Sequence, residues 1–183
     1  MKKIKHIISE ELNEIFNSKI ETKYKKYNKN FEGYDSVIYE IETKTNNKYK
    51  IIFSNFDDVS IFDLYDEDHE LLINRLNIDE NYDLKIINIS FGLIGLNINH
   101  ETSNINTNLN EQYDLMGRIA YIISEYMKEF TTDIFLVTNE YDGRKIDIYE
   151  AIYKNIFKIY NFTKINGIVD GTKYLLFINN VLL

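Results

Sequence analysis

The densest group of side chains that could bind a ligand is an acidic run in the first half of the chain. Asp66, Asp68 and Glu70 stand at alternate positions within it, and their carboxylates could offer oxygens to a hard cation such as Ca²⁺ or Mg²⁺. An EF-hand loop counted from Asp63 would need Gly and Glu where the sequence has Asp68 and Asn74. A solvated acidic turn is therefore the better interpretation, and we predict no bound metal or other cofactor.

A histidine–glutamate pair is the next candidate for chemistry. His100 and Glu101 follow a predicted strand, where an imidazole beside a carboxylate could act as an acid–base pair. An ordinary surface histidine is the simpler interpretation. The sequence has no cysteine, nucleophile elbow, P-loop or dinucleotide-binding glycine motif, which excludes thiolate chemistry and the common hydrolase, NTPase and dinucleotide-binding functions.

Charge is divided unevenly along the chain. Residues 1–30 carry eight lysines and four glutamates, whereas the whole chain has a net charge of -8. An acidic body disfavours binding to duplex nucleic acid, since phosphate contacts require a basic face. The basic segment is expected to pack on the acidic body or on an acidic partner protein. No apolar run is long enough for a membrane helix or a signal-peptide core, which predicts a cytosolic protein without membrane contact.

Aromatic residues are more numerous than a small core needs, with 15 Tyr and 11 Phe. Tyrosine is favoured at protein interfaces because its ring is apolar and its hydroxyl is polar. Some of these rings are therefore expected to face outward as contact residues. Together with the apolar stripe of an N-terminal helix, the predicted contact residues are Ile4, Ile8, Phe16, Tyr24, Tyr27, Tyr65 and Tyr82.

The elements that must position these side chains follow from hydrophobic periodicity. Helices are predicted at about 10–20, 114–130 and 144–160, and strands at 36–42, 49–54, 59–64, 84–91, 94–99, 134–138, 162–168 and 173–179. Asn46 and Asn47 are expected to form the turn between two strands, because Asn tolerates a positive φ. Residues 1–30 are interpreted as a leader helix with a linker, and residues 31–183 as the body. The predicted fold class is α+β: a twisted, mostly antiparallel sheet with packed helices, plus the N-terminal helix.

Two short stretches carry a family resemblance. Ile146-Asp147-Ile148-Tyr149 and Tyr160-Asn161-Phe162, in the element order of residues 84–179, resemble the second half of the GCN5-related N-acetyltransferase fold. The resemblance implies that Tyr149 would protonate a departing thiolate, with His100 and Glu101 near the acceptor amine.

The same resemblance implies a cofactor-binding turn at residues 112–118. In that turn Met116, Gly117 and Arg118 would replace a glycine-rich loop that binds the pyrophosphate of coenzyme A. The sequence departs from the family here, because the turn has one glycine and places Asp114 where an anion would sit. Coenzyme A binding is therefore predicted to be poor.

A second resemblance concerns origin. The leader, with Met1-Lys2-Lys3-Ile4 and Ser9-Glu10-Glu11-Leu12, together with the C-terminal half resembles uncharacterised proteins of tailed phages of Bacteroidota. This resemblance implies a non-enzymatic phage protein that acts through protein–protein contacts, as a virion or connector component in the host cytoplasm or the particle. The alternatives are an acyl-CoA-dependent N-acyltransferase and an inhibitor or decoy that binds a host protein. A homo-oligomer is left open.

Overall fold

The computed structural model describes residues 20, 22–31, 33–56, 85–94, 109–139, 153–169 and 172–182. Several sequence predictions fall outside these ranges. They are the leader helix with Ile4, Ile8 and Phe16, the strands at 59–64 and 94–99 apart from Ile94, the acidic run with Asp66, Asp68 and Glu70, the pair His100 and Glu101, and Tyr65, Tyr82 and Tyr149.

The described residues form one seven-stranded sheet in the order β1-β2-β3-β4-β5-β7-β6. The strands are β1 (Tyr24–Phe31), β2 (Tyr34–Glu42), β3 (Lys48–Phe56), β4 (Ile86–Leu93), β5 (Ile134–Asn139), β6 (Phe162–Val169) and β7 (Thr172–Asn179). Helix α1 (Leu109–Glu129) connects β4 to β5. A π-helical turn at Tyr153–Phe157 precedes β6, and a 3₁₀ turn at Asn180–Leu182 follows β7.

Tight turns at the first two hairpins set the register of the sheet. Gly33, with φ of 92°, lies between β1 and β2, and its positive φ suits a residue without a Cβ. Asn46 has φ of 63° between β2 and β3, which confirms the predicted asparagine turn. The strands predicted over 36–42, 49–54, 84–91, 134–138, 162–168 and 173–179 are also confirmed, with small shifts of their ends.

The sheet is buried on both faces. On the face that packs against α1, here called the helix face, Phe53 and Phe135 are buried against Ile119. On the opposite face, Ile52 and Leu136 are buried as well. Because both faces are buried, β5 is a continuous apolar run rather than an alternating one, as the sequence indicated.

A continuous chain of aromatic rings crosses the helix face. Each ring lies within 6.2 Å of the next, measured between centroids, in the series Tyr24, Tyr39, Phe53, Tyr126, Phe135, Phe157 and Phe177. Phe53 and Tyr126 stack at 4.0 Å with an interplanar angle of 6°, which fixes α1 on β3. Six of these seven rings are buried, and Tyr24, which the sequence analysis named as a contact residue, forms the exposed end of the chain.

The predicted fold class, an α+β sheet with packed helices in acetyltransferase-like order, is wrong. The part of the chain that the structure describes is a seven-stranded mixed sheet with one α-helix. One physical reason lies at residues 24–31, where the expected linker is an edge strand. An edge strand tolerates charged and polar side chains that would be costly in a central strand.

The predicted helix at 144–160 also differs from the structure. Its described part is only the π-helical turn at Tyr153–Phe157, after which Asn161 takes a positive φ of 66°. Ile156 is buried whereas Ile159 is 76% exposed, so the expected apolar stripe does not continue. Helix α1 also begins earlier than predicted, at Leu109.

Candidate functional site

The outer edge of β1 is the first candidate site. Within the described ranges β1 pairs with β2 alone, through a continuous antiparallel register from Tyr24↔Ile41 to Phe31↔Tyr34. A strand edge without a neighbour presents a row of N–H and C=O groups that another chain can pair with. We call this feature the open edge.

The direction of each β1 residue follows from the register. The N–H of Ile94 donates to the carbonyl of Lys48 at 2.8 Å, so the backbone of Lys48 faces β4. Backbone direction alternates along a strand, so Tyr49 faces β2 and its partner Ile41 faces β3. By the same alternation Glu40 faces β1, and its partner Lys25 faces β2. The backbone groups that point outward are therefore those of Tyr24, Lys26, Asn28 and Asn30.

The open edge is basic. Residues 22–31 include Lys23, Lys25, Lys26 and Lys29 and no acidic residue. The ammonium of Lys26 pairs with Glu129 at the end of α1 and lies 4.7 Å from the ring centroid of Phe130. The side chains of Lys25 and Lys29 are exposed on the opposite face. The exposed lysines of the edge are therefore Lys23, Lys25 and Lys29, although the Lys25 ammonium also lies 5.4 Å from the Tyr27 ring centroid, while Lys26 is held by the protein itself.

The structure places the two tyrosines of β1 differently. Tyr24 is 40% exposed and packs edge-to-face on Tyr39 at 5.3 Å between ring centroids. Tyr27 is half-buried, and its hydroxyl donates to Glu40 Oε1 at 2.7 Å. Burial, together with this hydrogen bond and the charge of Glu40, raises the pKa of Tyr27 to about 12. Both rings thus contact the protein, and Tyr24 also presents a substantial surface to solvent.

The second candidate site is a fork in the middle of the sheet. β4 and β5 run parallel and pair only at Ile86↔Ile134, Ile87↔Phe135 and Asn88↔Leu136. Beyond these pairs, β4 continues to pair with β3 and β5 continues to pair with β7, but β4 and β5 do not pair with each other. The described parts of β4 and β5 therefore diverge beyond Asn88 and Leu136.

A row of polar side chains ends at the base of the fork, on the opposite face. Ser36, Ser54 and Asn88 are cross-strand partners in β2, β3 and β4. The hydroxyl oxygens of Ser36 and Ser54 lie 2.9 Å apart, in a hydrogen bond. The amide oxygen of Asn88 is buried and has no hydrogen-bond partner in the part of the chain that the structure describes. Buried polar atoms are normally paired, so this oxygen marks a place where a donor could bind.

The first turns of α1 carry two buried carboxylates. Glu111 accepts hydrogen bonds from the Asn47 amide and, at 3.3 Å, from the Tyr49 hydroxyl. The Asn47 hydrogen bond holds the pKa of Glu111 below its ordinary value despite burial, with help from Thr45, Tyr49 and Thr43. Glu111 thereby ties the start of α1 to the turn between β2 and β3.

Asp114 lies one turn further along α1. Its Oδ2 accepts from the Lys44 backbone N–H at 3.0 Å and from Arg118 Nε at 2.9 Å. Burial acts to raise the pKa of Asp114, but these hydrogen bonds and the charges of Arg118 and Lys44 outweigh it, so the pKa is lowered. Asp114 thus links α1 to the turn between β2 and β3 and does not present its charge to a ligand.

Residues 112–118, which the acetyltransferase resemblance would place in a cofactor-binding turn, lie inside α1. Met116, Gly117 and Arg118 lie inside α1, where Met116 and Gly117 are buried and Arg118 is paired with Asp114. Backbone N–H groups inside a helix are already hydrogen-bonded, so they cannot bind an anion as those at a helix start do. Residues 112–118 therefore form no phosphate-binding loop.

Comparison of the chain with protein-family models, curated proteins and solved structures finds no match. No group of three or more potential metal ligands occurs among the described residues. In the same ranges, no helix has the length and apolar character needed to cross a membrane.

Sequence reasoning missed the open edge and the fork for different reasons. The residues of β1 alternate weakly in polarity, and the one available signal was Gly33 placed between two tyrosine-containing stretches. The fork depends on how far two strands separated by a helix stay paired. Local sequence patterns carry no information on that length.

Proposed function

We propose that this chain is a binding protein that contacts other proteins through the open edge of β1. One observation carries the proposal: a strand whose outward backbone groups have no ladder partner among the described residues coincides with residues 22–31, which hold four lysines and no acidic residue. Backbone groups supply hydrogen bonds, and the lysines supply charge that an acidic partner would complement.

Site-specific photo-crosslinking tests this function. A photoreactive amino acid at Asn28, on the open edge, is expected to capture a defined partner, whereas the same residue at exposed Lys158 is not. The captured protein is then purified, and its binding to the isolated chain is measured with and without the substitutions K25E and K29E. Equal capture at both positions, or equal binding by the variant, would refute the proposal.

The identity of the partner distinguishes the specific forms of this function. A virion or connector component would be present in purified particles and bind another particle protein. An inhibitor or decoy would bind a host protein and be absent from particles, with the acidic body rather than β1 as its contact surface. Capture from Asn28 therefore also separates these two forms.

A second candidate function, which the sequence resemblance left open, is acyl transfer from an acyl-CoA. The described parts of β4 and β5 diverge beyond Asn88 and Leu136, so an extended ligand could enter between the two strands. Thermal unfolding with acetyl-CoA tests this function, because a ligand that binds the folded state raises the midpoint. An unchanged midpoint at millimolar acetyl-CoA would exclude it.

A further inference from the structure

We infer that the open edge takes an extended acidic segment of a partner protein as an additional strand of the sheet. The inference rests on the proposed function and adds the mode of binding and the chemistry of the partner. It is carried by the direction of the β1 backbone, by the placement of the lysines and by the state of the nearby carboxylates.

The backbone of β1 is suited to strand addition. Tyr24, Lys26, Asn28 and Asn30 each direct one N–H and one C=O outward, at every second residue, over seven residues of regular strand. This is the spacing at which an extended chain forms a ladder. A partner segment of about seven residues would therefore satisfy every outward group of β1.

The charges beside this backbone select acidic side chains. Lys25 and Lys29 flank the open edge on the opposite face, two positions either side of Tyr27. The nearest carboxylates are already engaged: Glu40 binds Tyr27 and lies 3.8 Å from Lys50, and Glu129 pairs with Lys26. Among the described residues of β2, the exposed carboxylates are Asp35, opposite Asn30 near the hairpin end, and Glu42, just beyond the pair Tyr24↔Ile41 at the other end. The acidic residues of a partner are thus expected beside Lys25 and Lys29.

Two other occupants fit less well. A second copy of this chain, paired antiparallel through β1, would bring the lysines of both copies together, and like charges on neighbouring strands are unfavourable. Single-stranded nucleic acid needs free aromatic rings on which bases stack. Tyr24 packs on Tyr39, and the Lys25 ammonium lies 5.4 Å from the Tyr27 ring centroid, so both rings already contact other side chains of the protein.

Binding of short labelled peptides to the full chain tests the partner chemistry. The probes are fluorescein-labelled ten-residue peptides in which Thr alternates with Glu, with Ser or with Lys, measured by fluorescence anisotropy. We expect the Glu-Thr peptide to bind at least about tenfold more tightly than the Ser-Thr peptide, and the Lys-Thr peptide not to bind. Equal binding of the Glu-Thr and Ser-Thr peptides would overturn the acidic partner.

Charge reversal locates that binding. K25E/K29E is expected to weaken the Glu-Thr peptide at least about tenfold, because two attractions become two repulsions. The control K154E/K158E changes the same charge at exposed lysines away from β1 and is expected to retain the affinity. Equal loss in both variants would show a general charge effect and overturn the assignment to β1.

Amide hydrogen exchange tests the strand geometry. On binding of the Glu-Thr peptide, the outward amides of Tyr24, Lys26, Asn28 and Asn30 are expected to become protected. The inward amides between them, already bonded to β2, are expected to change little. The variant N28P removes one outward N–H and leaves the ladder to β2 intact, so it should weaken the peptide while N28A does not.

The outcomes separate the inference from the function on which it rests. Peptide binding that is lost in K25E/K29E but lacks alternating protection would keep β1 as a protein-contact site and overturn strand addition. If the peptide does not bind but a partner is captured at Asn28, β1 likewise remains a protein-contact site and strand addition is overturned. Binding of an oligo(dT) probe in preference to the Glu-Thr peptide would overturn both, as would dimerisation of the chain through β1.

Discussion

At the scale of single residues, the carboxylates of α1 stabilise the fold. Glu111 and Asp114 are both buried, yet both are held in the charged form by hydrogen bonds from the turn between β2 and β3, and Asp114 also by Arg118. Removing one partner of a buried ion pair leaves the other charge without compensation, which costs more than the pair itself contributes.

Asp114→Ala is therefore expected to lower the free energy of unfolding by about 2–4 kcal/mol. Two donors lose their acceptor, the Lys44 N–H and Arg118 Nε. In the double variant D114A/R118A the guanidinium is removed as well, so its loss should be smaller than the sum of the single losses by about 1 kcal/mol. Urea unfolding of the four proteins measures this coupling, and strictly additive losses would contradict it.

Acid stability follows from the same two residues. Both pKa values are lower in the folded chain than their ordinary values of 4.5 for Glu111 and 3.8 for Asp114. Each carboxylate therefore contributes stability that is fully present above its ordinary pKa and is lost as the pH falls through its folded pKa.

The variant E111Q/D114N is expected to be less stable than the parent at neutral pH and to lose less stability between about pH 5 and pH 2. The control D35N/E42Q removes the same charge from exposed positions and should keep the parent's dependence on pH. Thermal unfolding midpoints across this pH range provide the measurement. A parallel decline in all three proteins would argue against the assignment.

At the scale of elements, the chain of rings determines how α1 sits on the sheet. Tyr126 contributes three contacts to it, stacking on Phe53, stacking on Phe130 at 4.7 Å and meeting Phe135 edge-on. These contacts link β3, the end of α1 and β5. The helix is therefore anchored near its C-terminal end by rings and near its start by Glu111 and Asp114.

Tyr126→Ala is expected to destabilise the protein by about 3–5 kcal/mol, because a buried ring is replaced by a cavity. Tyr126→Phe keeps the ring and should cost less than about 1.5 kcal/mol. Tyr24→Ala is the matched control, since it removes a ring from the exposed end of the same chain and should cost less than Tyr126→Ala. Chemical denaturation ranks the three variants, and a Tyr24→Ala loss equal to that of Tyr126→Ala would refute the ranking.

Helices and strands were predictable from the sequence where burial of one face imposes a regular spacing on the apolar residues. α1 was recognised from Leu115, Ile119 and Ile122, all of which face the core. β1 was missed because an edge strand on a basic segment buries too little to impose a pattern. The start of α1 was missed because Glu111 is satisfied by Asn47, a contact between segments far apart in the chain.

The candidate sites were less predictable than the elements. Tyr24 is partly exposed, and its role as a contact residue, inferred from its place among lysines, stays a prediction. Met116, Gly117 and Arg118 lie in α1, as the predicted helix at 114–130 requires, and not in the turn that the resemblance implied. Asn88 has no distinctive sequence signal, since its role at the fork depends on the register of three strands.

At the scale of the whole molecule, the basic open edge belongs to a protein whose net charge is -8. Lysines on edge strands also prevent sheets from pairing with each other. Lys25 and Lys29 are thus expected to keep the free protein monomeric at β1 while selecting an acidic partner.

Lys25→Thr together with Lys29→Thr is expected to increase self-association, because threonine favours strands and the repulsion is lost. Light scattering after size-exclusion chromatography measures the effect. The control K154T/K158T has the same net charge and should resemble the parent, so equal association of both variants would attribute the effect to charge alone.

The narrow pairing of β4 with β5 also bears on the order of assembly. The hairpins β1–β2, β2–β3 and β6–β7 close short loops, which is fast, whereas the three parallel pairs join segments separated by α1. β5 pairs on its other side with β7, which comes last in sequence among the described strands. During synthesis, the centre of the sheet therefore cannot be completed until β7 has left the ribosome, and until then the apolar run of β5 has one side without a neighbour.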